Sequence, residues 1–261
     1  MPHTVAILGC GNMGGAIATS LATSRAWHVV TYDPDPAKAA AIDGAEQAVD
    51  ASSAVDSADA VIVAVKPQVI ESVLRPLAET AADKLVVSVA AGTPSAAVES
   101  WLTRSRVVRT MPNTPLLVGR GVVAIAPGLS ATEADVETTR SLFPNALVEV
   151  LSEAQMDAAT ALSGSGPAYF MAFTEALATA GQAIGLPADA ADGMARETFI
   201  GAARWLESTD ASPADLRRRV TSPGGTTQAA LESLSSNKLE EIVRRAVDAA
   251  SRRGAELSSA S

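Results

Sequence analysis

The tightest constraint on this chain is its first turn. Gly9-Cys10-Gly11-Asn12-Met13-Gly14 stands between a β-branched, apolar segment at Thr4–Leu8 and a run of small residues from 16 to 24. A strand that ends in three glycines at this spacing and opens a helix is the beginning of a dinucleotide-binding βαβ unit. Gly9 permits the tight turn, Gly11 lets the backbone approach a pyrophosphate, and Gly14 lets the helix pack on the strand. The N–H groups of the first helical turn then face the phosphates. Without its context the same triplet is only a glycine-rich strand-to-helix turn. The acidic Asp33, 24 positions after Gly9 at the end of a second strand, supplies that context.

The pattern continues in the same style. Strands are expected at His28–Tyr32 and over residues 60–65, 85–89, 106–110, 121–126 and 146–151. Helices are expected at 36–42, where Asp35-Pro36 reads as an N-cap followed by proline at the first helical position, and at 131–142. Strands alternating with helices imply right-handed crossovers and a doubly wound, mostly parallel sheet. Beyond about Leu151 strand-like runs stop. Six Ala/Leu/Glu/Arg segments follow at 153–162, 167–184, 188–208, 213–220, 226–235 and 239–256, with 257–261 read as a frayed tail. The expected architecture is therefore α/β. A Rossmann-type domain over 1–151 precedes an all-helical domain over 152–261.

Composition removes several function classes. A formal net charge of −9 is ill suited to nucleic acid or to an anionic membrane surface. One cysteine, Cys10, excludes an intrachain disulfide, and two distant histidines, His3 and His28, leave no metal site expected. No apolar run approaches the ~18 residues of a membrane span, and no charged leader precedes an apolar core, so a cytoplasmic protein is expected. Aromatic residues are only 3%, so any core must come from Ala, Val, Leu and Ile. Six helices so poor in large residues make a weak core alone, and a homodimer, or a larger assembly built on dimers, is expected.

The cofactor site can be extended along the strand ends, because ligands bind outside the carboxyl ends of parallel strands. Leu8, Gly9, Gly11, Asn12, Met13 and Gly14 belong to the first turn. Ala64, Val65, Lys66 and Pro67 close the third strand, and Ala90, Ala91 and Gly92 close the fourth, small enough for a ribose–nicotinamide group to lie against their backbone. Lys66 reads equally well as a solvated surface lysine. Asp33 can accept hydrogen bonds from ribose hydroxyls and repel a 2′-phosphate, which tilts a NADPH-or-NADH choice towards NADH; it can also be a turn residue of Asp-Pro-Asp-Pro.

A second ligand-binding turn lies at residues 222–227, Ser-Pro-Gly-Gly-Thr-Thr. Glycines that open a helix at Thr226 present N–H donors suited to a small carboxylate, although an ordinary helix start has the same residues.

Five blocks occur in order: Gly-Cys-Gly-Asn-Met-Gly (9–14), Ala-Val-Lys-Pro (64–67), Met-Pro-Asn-Thr-Pro (111–115), Ala-Leu-Ser-Gly-Ser-Gly-Pro-Ala-Tyr (161–169) and Val-Thr-Ser-Pro-Gly-Gly-Thr-Thr (220–227). Together they resemble the pyrroline-5-carboxylate reductases, the last enzymes of proline biosynthesis, over nearly the whole chain. The resemblance implies NAD(P)H-dependent reduction of the cyclic imine 1-pyrroline-5-carboxylate to L-proline. It implies a substrate held by Gly224, Gly225, Thr226 and Thr227, with the Gly225 and Thr226 N–H groups on the carboxylate and the Thr227 hydroxyl, the expected catalytic group, near the ring nitrogen. It also places Glu153 as a substrate-proximal acid. Arg219 departs from the family, where some relatives have Asn.

Two other readings use the same residues. A β-hydroxyacid dehydrogenase also joins a glycine loop to a helical domain. It needs a lysine four residues after the second glycine of Gly164-Ser165-Gly166, and Phe170 stands there. Lys238 is the one lysine beyond residue 151, so a base for alcohol oxidation is missing. A non-catalytic dinucleotide-binding regulator would have no use for the turn at 222–227.

Overall fold

The computed structural model describes residues 3–259. They divide into two compact units, Met1–Ser165 with Ala250–Ser261, and Gly166–Ala249.

The first unit is built on one eight-stranded sheet. Its strands are β1 (Thr4–Leu8), β2 (His28–Tyr32), β3 (Glu46–Gln47), β4 (Ala60–Val63), β5 (Leu85–Ser88), β6 (Arg106–Pro112), β7 (Gly121–Pro127) and β8 (Ala146–Val150), in the order β3-β2-β1-β4-β5-β6-β7-β8. All neighbours pair parallel except β6 with β7. The expected doubly wound, mostly parallel sheet is what the chain forms. Its inner strands are apolar at nearly every position because both faces are covered. Val5 and Ile7 enter one buried cluster with Ile17, Leu21, Ile62 and Val87; Ala6 and Leu8, one residue out of phase, enter the other with Val61, Val63, Ile70 and Leu74.

The helices of this unit are α1 (Asn12–Ser24), α2 (Pro36–Ala40), α3 (Ala51–Asp56), α4 (Ile70–Leu74), α5 (Ser95–Trp101), α6 (Glu133–Ser141) and α7 (Met156–Ala159). Asp35 caps α2 by accepting from the Ala37 N–H, with Pro36 at the first position. The expected helix over 153–162 is instead a composite. A 3₁₀ turn at Glu153–Gln155 leads into α7, and a π turn follows at Thr160–Gly164. The compact unit ends at Ser165 rather than at the last strand because this segment is fastened to the sheet. Met156 is buried with Ala124 and Ala126, and Asn113 reaches Ser163.

The second unit contains α8 (Gly166–Ala183), α9 (Ala188–Glu207), α10 (Pro213–Arg219), α11 (Thr226–Ser236) and the first part of α12 (Leu239–Ser259). Small residues let α8 and α9 approach closely: a Cβ on Gly181 would lie 3.3 Å from the Ala191 Cβ. The interior is as thin as the composition foretells. Only Gly166, Ala178, Ala191, Ala195 and Leu216 are buried among the described residues of this unit, while Phe170, Phe173, Ile184 and Met194 are more than half exposed. The expected frayed tail is corrected at 257–259, where α12 continues as helix; residues 260 and 261 lie outside the described residues. No helix among the described residues is long and apolar enough to cross a membrane.

Candidate active site

The glycine loop has a shape that other residues could not take. Gly9 has φ of +95°, and a Cβ there would sit 2.7 Å from the Ala64 carbonyl oxygen. A Cβ on Gly14 would come within 1.9 Å of the Gly9 oxygen and 2.9 Å of the Ala64 Cβ. These two glycines therefore press the loop and α1 against the end of β4. Gly11 differs: nothing lies within 4 Å of where its Cβ would be. It is also the N-cap of α1 and lends no side chain to the first-turn amides, and the first intrahelical bond runs from Gly15 to Gly11. The N–H groups of Asn12, Met13 and Gly14 thus have no intrahelical partner and face an open approach. This arrangement fits the pyrophosphate of a dinucleotide. A cleft of about 730 Å³ adjoins it, lined by Cys10, Gly11, Asn12, Lys38 and Leu116 among others.

Asp33 serves the loop directly. One carboxylate oxygen accepts from the Cys10 N–H at 2.8 Å and the other from the Asp35 N–H at 2.9 Å. It is a turn residue and a brace for the glycine loop at once. The Cys10 thiol beside it is pushed up to about 11, first by burial and then by the Asp33 charge, with Lys38 partly offsetting both. A neutral thiol at physiological pH suits packing rather than redox chemistry.

The other strand ends are less uniform. β4 stops at Val63, two residues before the expected end. Ala64 still donates to Leu8, while Lys66 is exposed and opens a 3₁₀ turn at Pro67–Val69. After β5, Ala90 is buried, Ala91 exposed, and Gly92 has φ of +74°. A Cβ on Gly92 would lie 3.2 Å from the Cβ of Leu257 in the last turn of α12.

Glu153 lies in an ionic cluster of the first unit. The Arg109 guanidinium, 4% exposed, donates from Nη1 to Glu153 Oε1 at 2.5 Å, and its Nη2 is 3.7 Å from Asp157 Oδ1. Ser95 Oγ donates to Glu153 Oε2 at 2.9 Å, and Ser258 Oγ to Asp157 Oδ1 at 3.1 Å. Nearby, Asn113 accepts from the Val122 N–H and donates to the Ser163 carbonyl, and Gly164 fits against Met111. The sequence block 111–115 and the first residues of the block 161–169 are thereby drawn together.

The turn at 222–227 belongs to the second unit. Gly224 has φ of +69°, and its N–H donates to Gln228 Oε1 at 2.7 Å. Gly225 is the N-cap of α11, and its N–H closes the turn onto the Ser222 carbonyl at 3.0 Å. A Cβ on Gly225 would strike Ser222 Oγ at 2.4 Å. Thr226 and Thr227 head the helix, with N–H groups that have no intrahelical acceptor. In the same unit Phe170 stacks on Phe199 with centroids 5.7 Å apart, so an aromatic pair occupies the place of a dehydrogenase base.

Residues 153–257 match the family described as pyrroline-5-carboxylate reductase dimerisation, and residues 4–92 match NADP oxidoreductase, coenzyme F420-dependent. The pyrroline-5-carboxylate reductase of Pseudomonas aeruginosa is 40% identical over 97% of this chain and 96% of its own. The chain belongs to the pyrroline-5-carboxylate reductase family. A solved pyrroline-5-carboxylate reductase of Coxiella burnetii superposes with a TM-score of 0.91 at 34% identity, covering 99% of both chains. The Plasmodium falciparum pyrroline carboxylate reductase, solved with NADP bound, superposes with a TM-score of 0.84 at 27% identity over 98% of both.

Within this reductase family framework, Arg109 is the residue that sequence reading passed over. The signal was present. An arginine in an otherwise apolar inner strand, Arg106-Val107-Val108-Arg109, has to be paired if the strand is buried, although the strand itself does not name the partner.

Proposed function

We propose that this chain reduces the C=N bond of 1-pyrroline-5-carboxylate to L-proline with a reduced nicotinamide dinucleotide, the last step of proline biosynthesis. The observation that carries this reading is the pairing on one chain of two ligand-ready helix starts, the open cradle at Gly11 and the glycine turn ahead of Thr226, with family membership over nearly the full length.

In this reading residues 1–151 hold the dinucleotide and residues 152–261 the substrate and the dimer contact. Leu8, Gly9, Gly11, Asn12, Met13 and Gly14 receive the pyrophosphate. Ala64, Val65, Lys66 and Pro67, with Ala90, Ala91 and Gly92, flank the rest. The dinucleotide, when bound, supplies the hydride. Asp33 keeps acceptor capacity beyond the two amides it already binds, because a carboxylate has about four lone-pair sites. Ribose hydroxyls suit that surplus better than a 2′-phosphate does, and NADH is the proposed preference.

On the substrate side, the carboxylate is received at the start of α11 by the Thr226 amide. The Gly225 amide, expected to share that role, is already donated to the Ser222 carbonyl, so Gly224 and Gly225 give the turn its shape. The Thr227 oxygen accepts from the N–H of the protonated ring nitrogen. The hydride adds to the imine carbon as the C=N π pair becomes the amine lone pair, and Glu153 is proposed as a substrate-proximal acid. No histidine or lysine acid is required, since the protonated imine is already electrophilic. A second copy covers the exposed apolar residues of the helical unit, so the working form is a homodimer or an assembly of dimers.

The test is oxidation of NADH and NADPH in the presence of pyrroline carboxylate, with proline assayed as product. Turnover with at least one of them is expected; none with either contradicts the reading.

A further inference from the structure

Residues 88–95 join β5 to α5 and carry Ala90, Ala91 and Gly92. β6 grips this segment at both ends with adjacent residues. At one end Thr110 Oγ1 donates to the Ser88 carbonyl at 3.0 Å, and Arg109 pairs in register with Ser88. At the other end Arg109 holds Glu153, and Glu153 Oε2 accepts from Ser95 Oγ. The same guanidinium faces Asp157, which accepts from Ser258 Oγ and packs against α12 so closely that a Cβ on Gly254 would lie 3.4 Å from the Asp157 Cβ. One turn of that helix places Leu257 on Gly92. Gly92 is therefore bounded on two sides by structures that both lead back to Arg109.

A charge at this depth is expensive. Removing it and its partners from water costs several kcal/mol per ion, which apolar side chains in a sheet strand would avoid. The neighbouring Val107 and Val108 show that this strand takes apolar residues. What the guanidinium provides and a valine cannot is a planar fork that fixes two carboxylates at once.

We propose that Arg109 is a positioning residue for the dinucleotide. Through Glu153 it sets Ser95 and the 90–92 backbone, and through Asp157 it sets the last turn of α12 that closes on Gly92. This rests on the reading of residues 90–92 as part of the cofactor site.

The test is dinucleotide affinity, read by fluorescence titration of NADH and NADPH against the full-length protein, together with steady-state constants and thermal melting. Arg109→Lys keeps the charge and loses the fork; Ser95→Ala removes one hydroxyl and leaves the ion pair. Each is expected to raise the dinucleotide Kd about tenfold, within the usual coupling between contacting residues. The double variant is expected to be no weaker than the worse single one, because both act along one path. The KM for the imine should move less than about twofold in Ser95→Ala.

Unchanged dinucleotide Kd in Ser95→Ala, or effects that simply multiply in the double variant, would overturn the proposal. If Arg109→Lys fails to fold, Ser95→Ala and Ser258→Ala carry the test, the latter expected to weaken dinucleotide binding as well. A wild type that binds dinucleotide but does not reduce the imine sinks the functional reading and leaves this inference standing. A wild type that turns over while its variants bind dinucleotide normally does the reverse.

Discussion

The Cys10 N–H donates to the Asp33 carboxylate at 2.8 Å, so the end of β2 and the glycine loop after β1 are one mechanical piece. Asp33 therefore braces the loop, and in the proposed function its remaining lone pairs serve a ribose.

Asp33→Ser should raise the ratio of catalytic efficiencies, NADPH over NADH, by roughly tenfold, since a hydrogen bond to a charged group is worth about that factor or more. It should also weaken both cofactors somewhat, because the loop loses its brace. Parallel kcat/KM measurements decide the matter, and a ratio that stays put removes Asp33 from cofactor choice.

The Cys10 thiol, raised from 9.0 to about 11 by burial and by Asp33, should resist alkylation in the native protein at neutral pH. The sign for stability follows from the fold favouring the neutral thiol. Its contribution is complete below pH 9.0 and is lost as pH rises from there through about 11. Mass-spectrometric labelling across that window checks it. Rapid native labelling at pH 7 would contradict the burial argument.

Thr93, 1% exposed, has the one buried side-chain polar atom without a partner among the described residues. Thr93→Val exchanges that hydroxyl for a methyl of similar shape and should stabilise the protein without ligand by ~1 kcal/mol, seen as a higher Tm. A lower Tm would mean that the hydroxyl has a partner in solution.

Thr227→Ala should lower kcat on the order of a hundredfold while leaving the dinucleotide Kd unchanged, because its proposed contact is with the reacting nitrogen alone. Unchanged turnover would take Thr227 out of the mechanism.

Much of this was legible in the chain because the physics was local. Periodicity and apolar runs mark β1, β2 and β4–β8, and Asp35-Pro36 marks the start of α2. Where the chemistry is long-range the sequence is silent. β3 is two residues, Glu46 and Gln47, and exists only because Val30 and Thr31 offer an edge. In the π turn at Thr160–Gly164 the Ser163 carbonyl accepts from Asn113, fifty residues away. The last turn of α12 looks like a polar tail until Gly92, Asp157 and Gly254 are seen together. For the candidate site, glycine spacing betrays both ligand-ready turns, whereas the Arg109 cluster joins residues 95, 109, 153, 157 and 258, and its one local sign, an arginine in an apolar strand, does not name the partners.

In the proposed function the open cradle at Gly11 and the turn before Thr226 serve a single imine reduction. The most direct measurement is a paired steady-state assay with NADH and NADPH at saturating pyrroline carboxylate, with L-proline quantified. One proline formed per dinucleotide oxidised is expected, with higher kcat/KM for NADH. Dinucleotide binding without any proline formed would contradict that function.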